Sequence, residues 1–188
     1  MGKTYVVGIA GGSASGKSTF AEALAKTLDN LRVRMFHMDS YFKKKEERPH
    51  TQSHVSGIVY RDDNHPLTAD LPKLADDIAS AVEKQEYDVI IVEGFLTLSD
   101  DAISAMLDLK LFIDCRADER IVRRIKRNMA WGLTFDEISN VYLDMVRFRH
   151  DQYVEPSKWR ADMILNGSFP SEKALKIISD TVEKSVRG

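Results

Sequence analysis

The sequence predicts an α/β fold, a parallel sheet with helices on both of its faces, and three observations predict it. Five apolar runs rich in β-branched residues are hydrophobic throughout rather than alternating, as strands buried on both faces are. Longer segments of helical period separate them, the alternation that gives parallel crossovers. A glycine-rich turn lies directly between the first apolar run and the first helical segment.

Along the chain, strands are expected at Thr4–Ala10, Arg32–Met38, Asp88–Val92, Lys110–Cys115 and Ala161–Leu165. Helices are expected at Lys17–Asp29, Asp70–Lys84, Asp100–Leu107, Asp118–Met129, Phe135–Val154 and Ser171–Val186. Phe135, Ile138, Tyr142 and Met145 recur at helical spacing and are expected in the core. Lys43 to Thr68 shows no clear period, and a stretch that long in a compact domain is usually functional or mobile. Within it the charge run Lys43–Arg48 reads as a solvated face. In parallel sheets ligands sit beyond the carboxyl ends of the strands, which directs attention to those ends.

A chain of 188 residues, 43% hydrophobic and 30% charged, suits a single domain over 1–188. A net charge of −2 gives no reason to expect nucleic acid or an anionic membrane as partner. No stretch approaches the roughly 18 apolar residues of a membrane span, and the short run Tyr5–Ala10 has no secretory pattern. The single cysteine, Cys115, excludes an intrachain disulfide and is expected to be buried packing. A cytoplasmic protein is expected, with a homo-oligomer left open.

The turn itself carries the chemistry. Gly11, Gly12, Ser13, Ala14, Ser15, Gly16, Lys17 and Ser18 match G-x-x-x-x-G-K-[ST] in full, after a strand and before a helix. Glycines let the backbone curl so that its N–H groups point at phosphate oxygens, and the helix adds its positive end. Lys17 is expected on the β- and γ-phosphates, and Ser18 offers a hydroxyl to Mg²⁺. Glu93 ends another strand and is the second expected metal anchor. Asp39 ends the Arg32–Met38 strand, where a carboxylate can take a proton from an acceptor hydroxyl.

On the helix over Asp118–Arg127, Arg120, Arg123, Arg124 and Arg127 fall within an arc of about 100°. Ile121, Val122 and Ile125 lie opposite, so the apolar stripe is expected to dock the helix and the basic stripe to face outward over the crevice as a lid. Trp131 beside Gly132 is either a lid hinge with a stacking aromatic or a helix end tucked into the core.

Together these elements resemble the uridine kinase family of P-loop kinases, which includes phosphoribulokinase-like enzymes. The resemblance covers almost the whole chain: Gly11–Thr19, Asp39-Ser40-Tyr41-Phe42, Asn64-His65-Pro66, Val92-Glu93-Gly94, Leu111–Asn128, and Tyr153–Lys158 followed by Ala161–Ile164. It implies a P-loop NTPase fold with a five-stranded parallel sheet, a lid over about 118–133 and an acceptor-binding region over about 40–68. It implies ATP as phosphoryl donor with Mg²⁺, and a small-molecule acceptor. Asp39 matches the family's catalytic aspartate, and Arg124 and Arg127 match lid arginines that meet phosphates. Thr19 closes the nucleotide loop; Tyr41, Phe42, Asp63, Asn64 and His65 fall in the acceptor region.

The departures bear on the acceptor. Asn64 stands where the family's D-H-P element has an acid, leaving Asp62 or Asp63 to substitute. The hairpin that grips the base after the Asp70–Lys84 helix is missing, and Trp131-Gly132-Leu133 replaces an R-G-R. A nucleoside is the leading acceptor; nicotinamide riboside or another ribosyl compound, a sugar, or a hydroxy acid are alternatives. A nucleotide switch would carry D-x-x-G and N-K-x-D, and neither occurs in the 188 residues. A non-catalytic nucleotide binder would have no need of Asp39.

Overall fold

The computed structural model describes residues 3–188. In chain order the elements begin with β1 (Tyr5–Ala10), α1 (Lys17–Thr27), β2 (Val33–His37), β3 (His50–Gln52), β4 (Val59–Arg61), α2 (Leu71–Lys84) and β5 (Val89–Glu93). They continue with α3 (Asp101–Ala105), β6 (Leu109–Asp114), α4 (Ala117–Ala130), α5 (Phe135–Val141), α6 (Arg147–Arg149), β7 (Met163–Asn166) and α7 (Glu172–Arg187). Five strands form the expected parallel sheet in the order β2-β5-β1-β6-β7.

Strand periodicity divides the core. On one face Val7, Ile9, Val89 and Ile91 pack with Ala21 and Leu24 of α1 and Ile178 and Val182 of α7. On the other, Val6, Ala10, Ile90 and Val92 pack with Leu74 and Ile78 of α2 and Ile103 of α3. Because adjacent residues serve opposite faces, the strands must be apolar at every position, as read from the sequence. Cys115 is buried just past β6, as packing requires.

Three expectations are corrected. The segment from Lys43 to Thr68 contains the antiparallel hairpin β3–β4, with short 3₁₀ turns at Lys45–Glu47 and Pro66–Thr68. The single helix expected over Phe135–Val154 widens to i→i+5 hydrogen bonding at Tyr142–Val146 and at His150–Val154, on either side of α6. Ile138, Tyr142 and Met145 are buried, but Phe135 is exposed at the first turn.

The hairpin is fastened to that widened helix by two carboxylates. Asp62 is fully buried and accepts from Arg149 Nε at 2.7 Å, from Thr51 Oγ1 at 2.8 Å and from the Asn64 amide at 3.1 Å. Asp144 accepts from Tyr60 Oη at 2.9 Å and from the Ser56 hydroxyl. Removing one member of a buried pair strands the other's charge, so Arg149→Met is expected to destabilise the fold by about 3–5 kcal/mol in urea melts. Arg149→Lys should recover part of that loss; an unchanged midpoint in Arg149→Met would show that Asp62 needs no counter-charge.

Candidate active site

The turn after β1 forms a cradle. Gly16 has φ 97° and precedes α1, whose first turn receives no side-chain cap. Its N–H groups are therefore free for an anion. Ala14 takes φ 64°, an uncommon conformation for a residue with Cβ, so the loop is held by its surroundings. Those surroundings are close. A Cβ on Gly12 would lie 2.6 Å from Arg120 Nη1, and one on Gly167 would lie 2.4 Å from the Ser15 carbonyl oxygen. Ser15 N–H donates to Gly12 O at 3.0 Å, closing the curl.

Glu93 is buried at the end of β5 beside the cradle. Its Oε2 accepts from Ser18 Oγ at 3.1 Å and lies 3.8 Å from Lys17 Nζ; its Oε1 lies 2.9 Å from His37 Nδ1. A hydroxyl and a carboxylate are hard oxygen donors of the kind Mg²⁺ takes, so Ser18 and Glu93 fit that ion. His37 is a contact that sequence reasoning missed; its place at the end of β2, in register with Glu93, was the available signal.

A cleft of about 700 Å³ opens from the cradle, and both Lys17 and Asp39 line it. Ser13, Phe42, Asp63, Asn64, Phe95, Arg124, Arg127 and Trp131 line it too. Arg124 Nη1 and Arg127 Nη2 both donate to Ser13 Oγ, at 3.1 and 3.2 Å. Two guanidinium groups thus meet on one neutral hydroxyl, and Arg124 Nε is buried without a partner. Burial, and then the charge of Arg127, lower the Arg124 pKa; burial also lowers that of Arg127, against an opposing pull from Asp39. Such a cluster, with one guanidinium nitrogen left without a partner, is suited to receive an anion.

The orientation of α4 follows the expectation in part: Ile121 of the apolar stripe packs against Tyr142, Met145 and Val146, and Arg124 and Arg127 of the basic stripe line the cleft, but Arg120 and Val122 depart from it. Arg120 and Asn128 are buried on its inner side, while Val122 and Met129 are exposed on the other. Arg120 Nε donates to Cys115 O at 3.0 Å, which holds the guanidinium against Gly12. An inward basic face is stable here because the cradle supplies polar partners for it.

The acceptor-region residues divide. Phe42, Asp63 and Asn64 reach the cleft. Asp63 is held by Arg61 Nε at 2.9 Å and Arg48 Nη1 at 3.0 Å, so burial of its carboxylate is outweighed and its pKa is lowered. Tyr41 does not reach it: its hydroxyl donates to Asp77 on α2 at 2.9 Å, and burial with that bond pushes its pKa up to about 12. His65 is absent from the lining as well; its Nδ1 accepts from the Leu67 amide at 3.1 Å and its ring packs edge-on to Tyr153. Asp62 is the buried latch rather than a cleft acid. Lys45, from the run read as solvated, lines the cleft together with Tyr60 and Arg61 of the unforeseen hairpin. A second hollow of about 430 Å³, lined by Gly16, Thr19, Phe20, Arg123 and Leu175, adjoins the other end of the cradle.

A glycine cradle between β1 and α1, a β2-β5-β1-β6-β7 sheet and basic side chains over the loop define a P-loop nucleotide-binding kinase. Residues 54–172 match the model of the Phosphoribulokinase / Uridine kinase family. The cradle lies outside the matched residues and supports the assignment independently. The chain is 33% identical over 207 residues to a uridine kinase of Lactococcus lactis subsp. lactis (strain IL1403), covering 97% of each. It is 35% identical over 185 residues to a uridine kinase of Clostridium botulinum (strain Kyoto / Type A2), covering 88% of this chain and 89% of the relative. The fold also matches a solved structure described as a possible uridine kinase from Bacillus stearothermophilus, with TM-score 0.59 and 19% identity, over 88% of this chain and 90% of that one. The chain belongs to the phosphoribulokinase/uridine kinase family.

His150 packs behind the cradle, with Nε2 3.2 Å from Glu155 Oε2 and Nδ1 buried without a partner. Burial, and then the charge of Arg120, lower its pKa. The unfolded imidazole takes a proton at about pH 6.5, where the folded one does not. Protons therefore favour unfolding as the pH falls below that point. The urea midpoint should decline between pH 7.5 and 5.5 more steeply in the wild type than in His150→Gln; parallel declines would acquit His150.

Proposed function

We propose that the chain transfers the γ-phosphoryl group of ATP to a hydroxyl of a small molecule, with a nucleoside as the acceptor. The observation that carries this reading is the shared cleft: Lys17 and Asp39 line it together, with Arg124 and Arg127 meeting on Ser13 between cradle and acceptor side. The relatives named uridine kinase support a nucleoside as acceptor.

The triphosphate lies on the amides of residues 11–16, with Lys17 on its β- and γ-oxygens and Thr19 toward the α-phosphate. The donor base occupies the second hollow, where Phe20 and Leu175 provide apolar walls. Mg²⁺, when held by Ser18 and Glu93, offsets phosphate charge. Asp39, exposed at the end of β2, accepts the proton of the acceptor hydroxyl as its oxygen bonds to the γ-phosphorus. The bond from that phosphorus to the bridging oxygen breaks, and ADP leaves. Arg124 and Arg127 neutralise the transferring group, and α4 acts as the lid that keeps water from serving as acceptor. Phe42, Asp63 and Asn64 bound the acceptor.

ADP release measured against a nucleoside panel, with ATP and Mg²⁺, tests the reading. Turnover should require an acceptor; ADP production at the same rate without one, or none with any, would overturn it. Asp39→Asn is expected to lower kcat by at least ~100-fold while ATP still binds; near-normal turnover would remove Asp39 as the base. Arg124→Ala and Arg127→Ala should each reduce kcat by roughly 10-fold or more with a smaller change in ATP affinity, as for charge stabilisation of the transferring group. An unchanged kcat in both variants would end the lid assignment.

A further inference from the structure

Trp131 terminates α4 and lines the cleft, yet it is 70% exposed. A large aromatic ring that open, on the wall of a ligand cleft, is uncovered apolar area that a ligand can cover. The ring is also held in place. Arg127 Cζ lies 5.1 Å from its centroid, and the same guanidinium donates to Ser13 of the cradle. The helix end beneath it is fixed by Gly132 at φ 94°, whose N–H donates to Met129 O at 3.0 Å, and by Leu133 N–H donating to Asn128 O at 3.2 Å. Tyr60, Phe42, Phe95 and Leu133 line the same cleft, so apolar and aromatic surface and the polar groups of Asp39, Asp63 and Asn64 share one space.

We propose that Trp131 is a specificity-determining residue, an aromatic platform on which the planar ring of the acceptor stacks while its hydroxyl faces Asp39. The proposal rests on the nucleoside reading and names the group that selects that substrate. One face of the indole is engaged by Arg127, and the open part of the ring receives the acceptor. Stacking is tolerant of base identity because every base presents a π-face, so the platform selects for the presence of a planar ring rather than for one base.

The test is steady-state kinetics with uridine and cytidine, and with D-ribose as a base-free acceptor. Since the ring is exposed, its removal leaves the fold intact. Trp131→Ala should raise KM for both nucleosides by ~10-fold or more with kcat within about 2-fold, leave turnover of ribose unchanged, and be rescued in large part by Trp131→Phe. A second readout needs no turnover. The chain has two tryptophans, so Trp159→Phe leaves Trp131 as the only indole, and uridine should change the tryptophan emission saturably. Nucleoside turnover with an unmoved KM in Trp131→Ala, or no fluorescence response to uridine, overturns the platform alone. No ADP release with any nucleoside overturns the nucleoside reading, and the platform with it.

Discussion

The carboxylate of Glu93 ties together the ends of three strands. It lies in register with Ile9 of β1 and His37 of β2, and it gathers Lys17 and Ser18 from the start of α1. A carboxylate this buried is stable only with such partners around it. Two of those partners, Lys17 and Ser18, belong to the glycine cradle itself. The sheet's apolar interior therefore serves to bring one strand terminus to one loop, and the cleft is built outward from that point.

Electrostatics over the cradle run against the usual logic of a surface. Lys17, Arg120, Arg124 and Arg127 converge on a loop that has no carboxylate of its own apart from the neighbouring Glu93. Burial counts against the charge of Arg124 and Arg127, and the charge of Arg127 counts against Arg124; an anion bound there would offset both costs.

Much of this was legible in the sequence. The buried strands show because a sheet covered on both faces needs apolar residues at every position, and the cradle shows because its motif sits between strand and helix. The hairpin did not show: its strands are three residues each, His50–Gln52 and Val59–Arg61, too short and polar for a period to register. On α4 the stripes were legible except at two positions: Arg120 is buried against the Gly12 turn and Val122 is exposed, because the surface beside that part of the helix is a polar glycine loop rather than an apolar one. Tyr41 and His65 lie in the right segments but turn to Asp77 and Tyr153, choices made by tertiary neighbours rather than by local sequence. Trp131 was ambiguous until its exposure placed it on the cleft wall.

The two carboxylate fastenings of the β3–β4 hairpin have a consequence for access. With Asp62 bonded to Arg149 and Asp144 bonded to Tyr60, the hairpin and the widened helix behind it form a single rigid jamb. The hairpin side of the cleft, with Tyr60 and Arg61 on its lining, is thereby tied to the core of the chain through two hydrogen-bonded carboxylates.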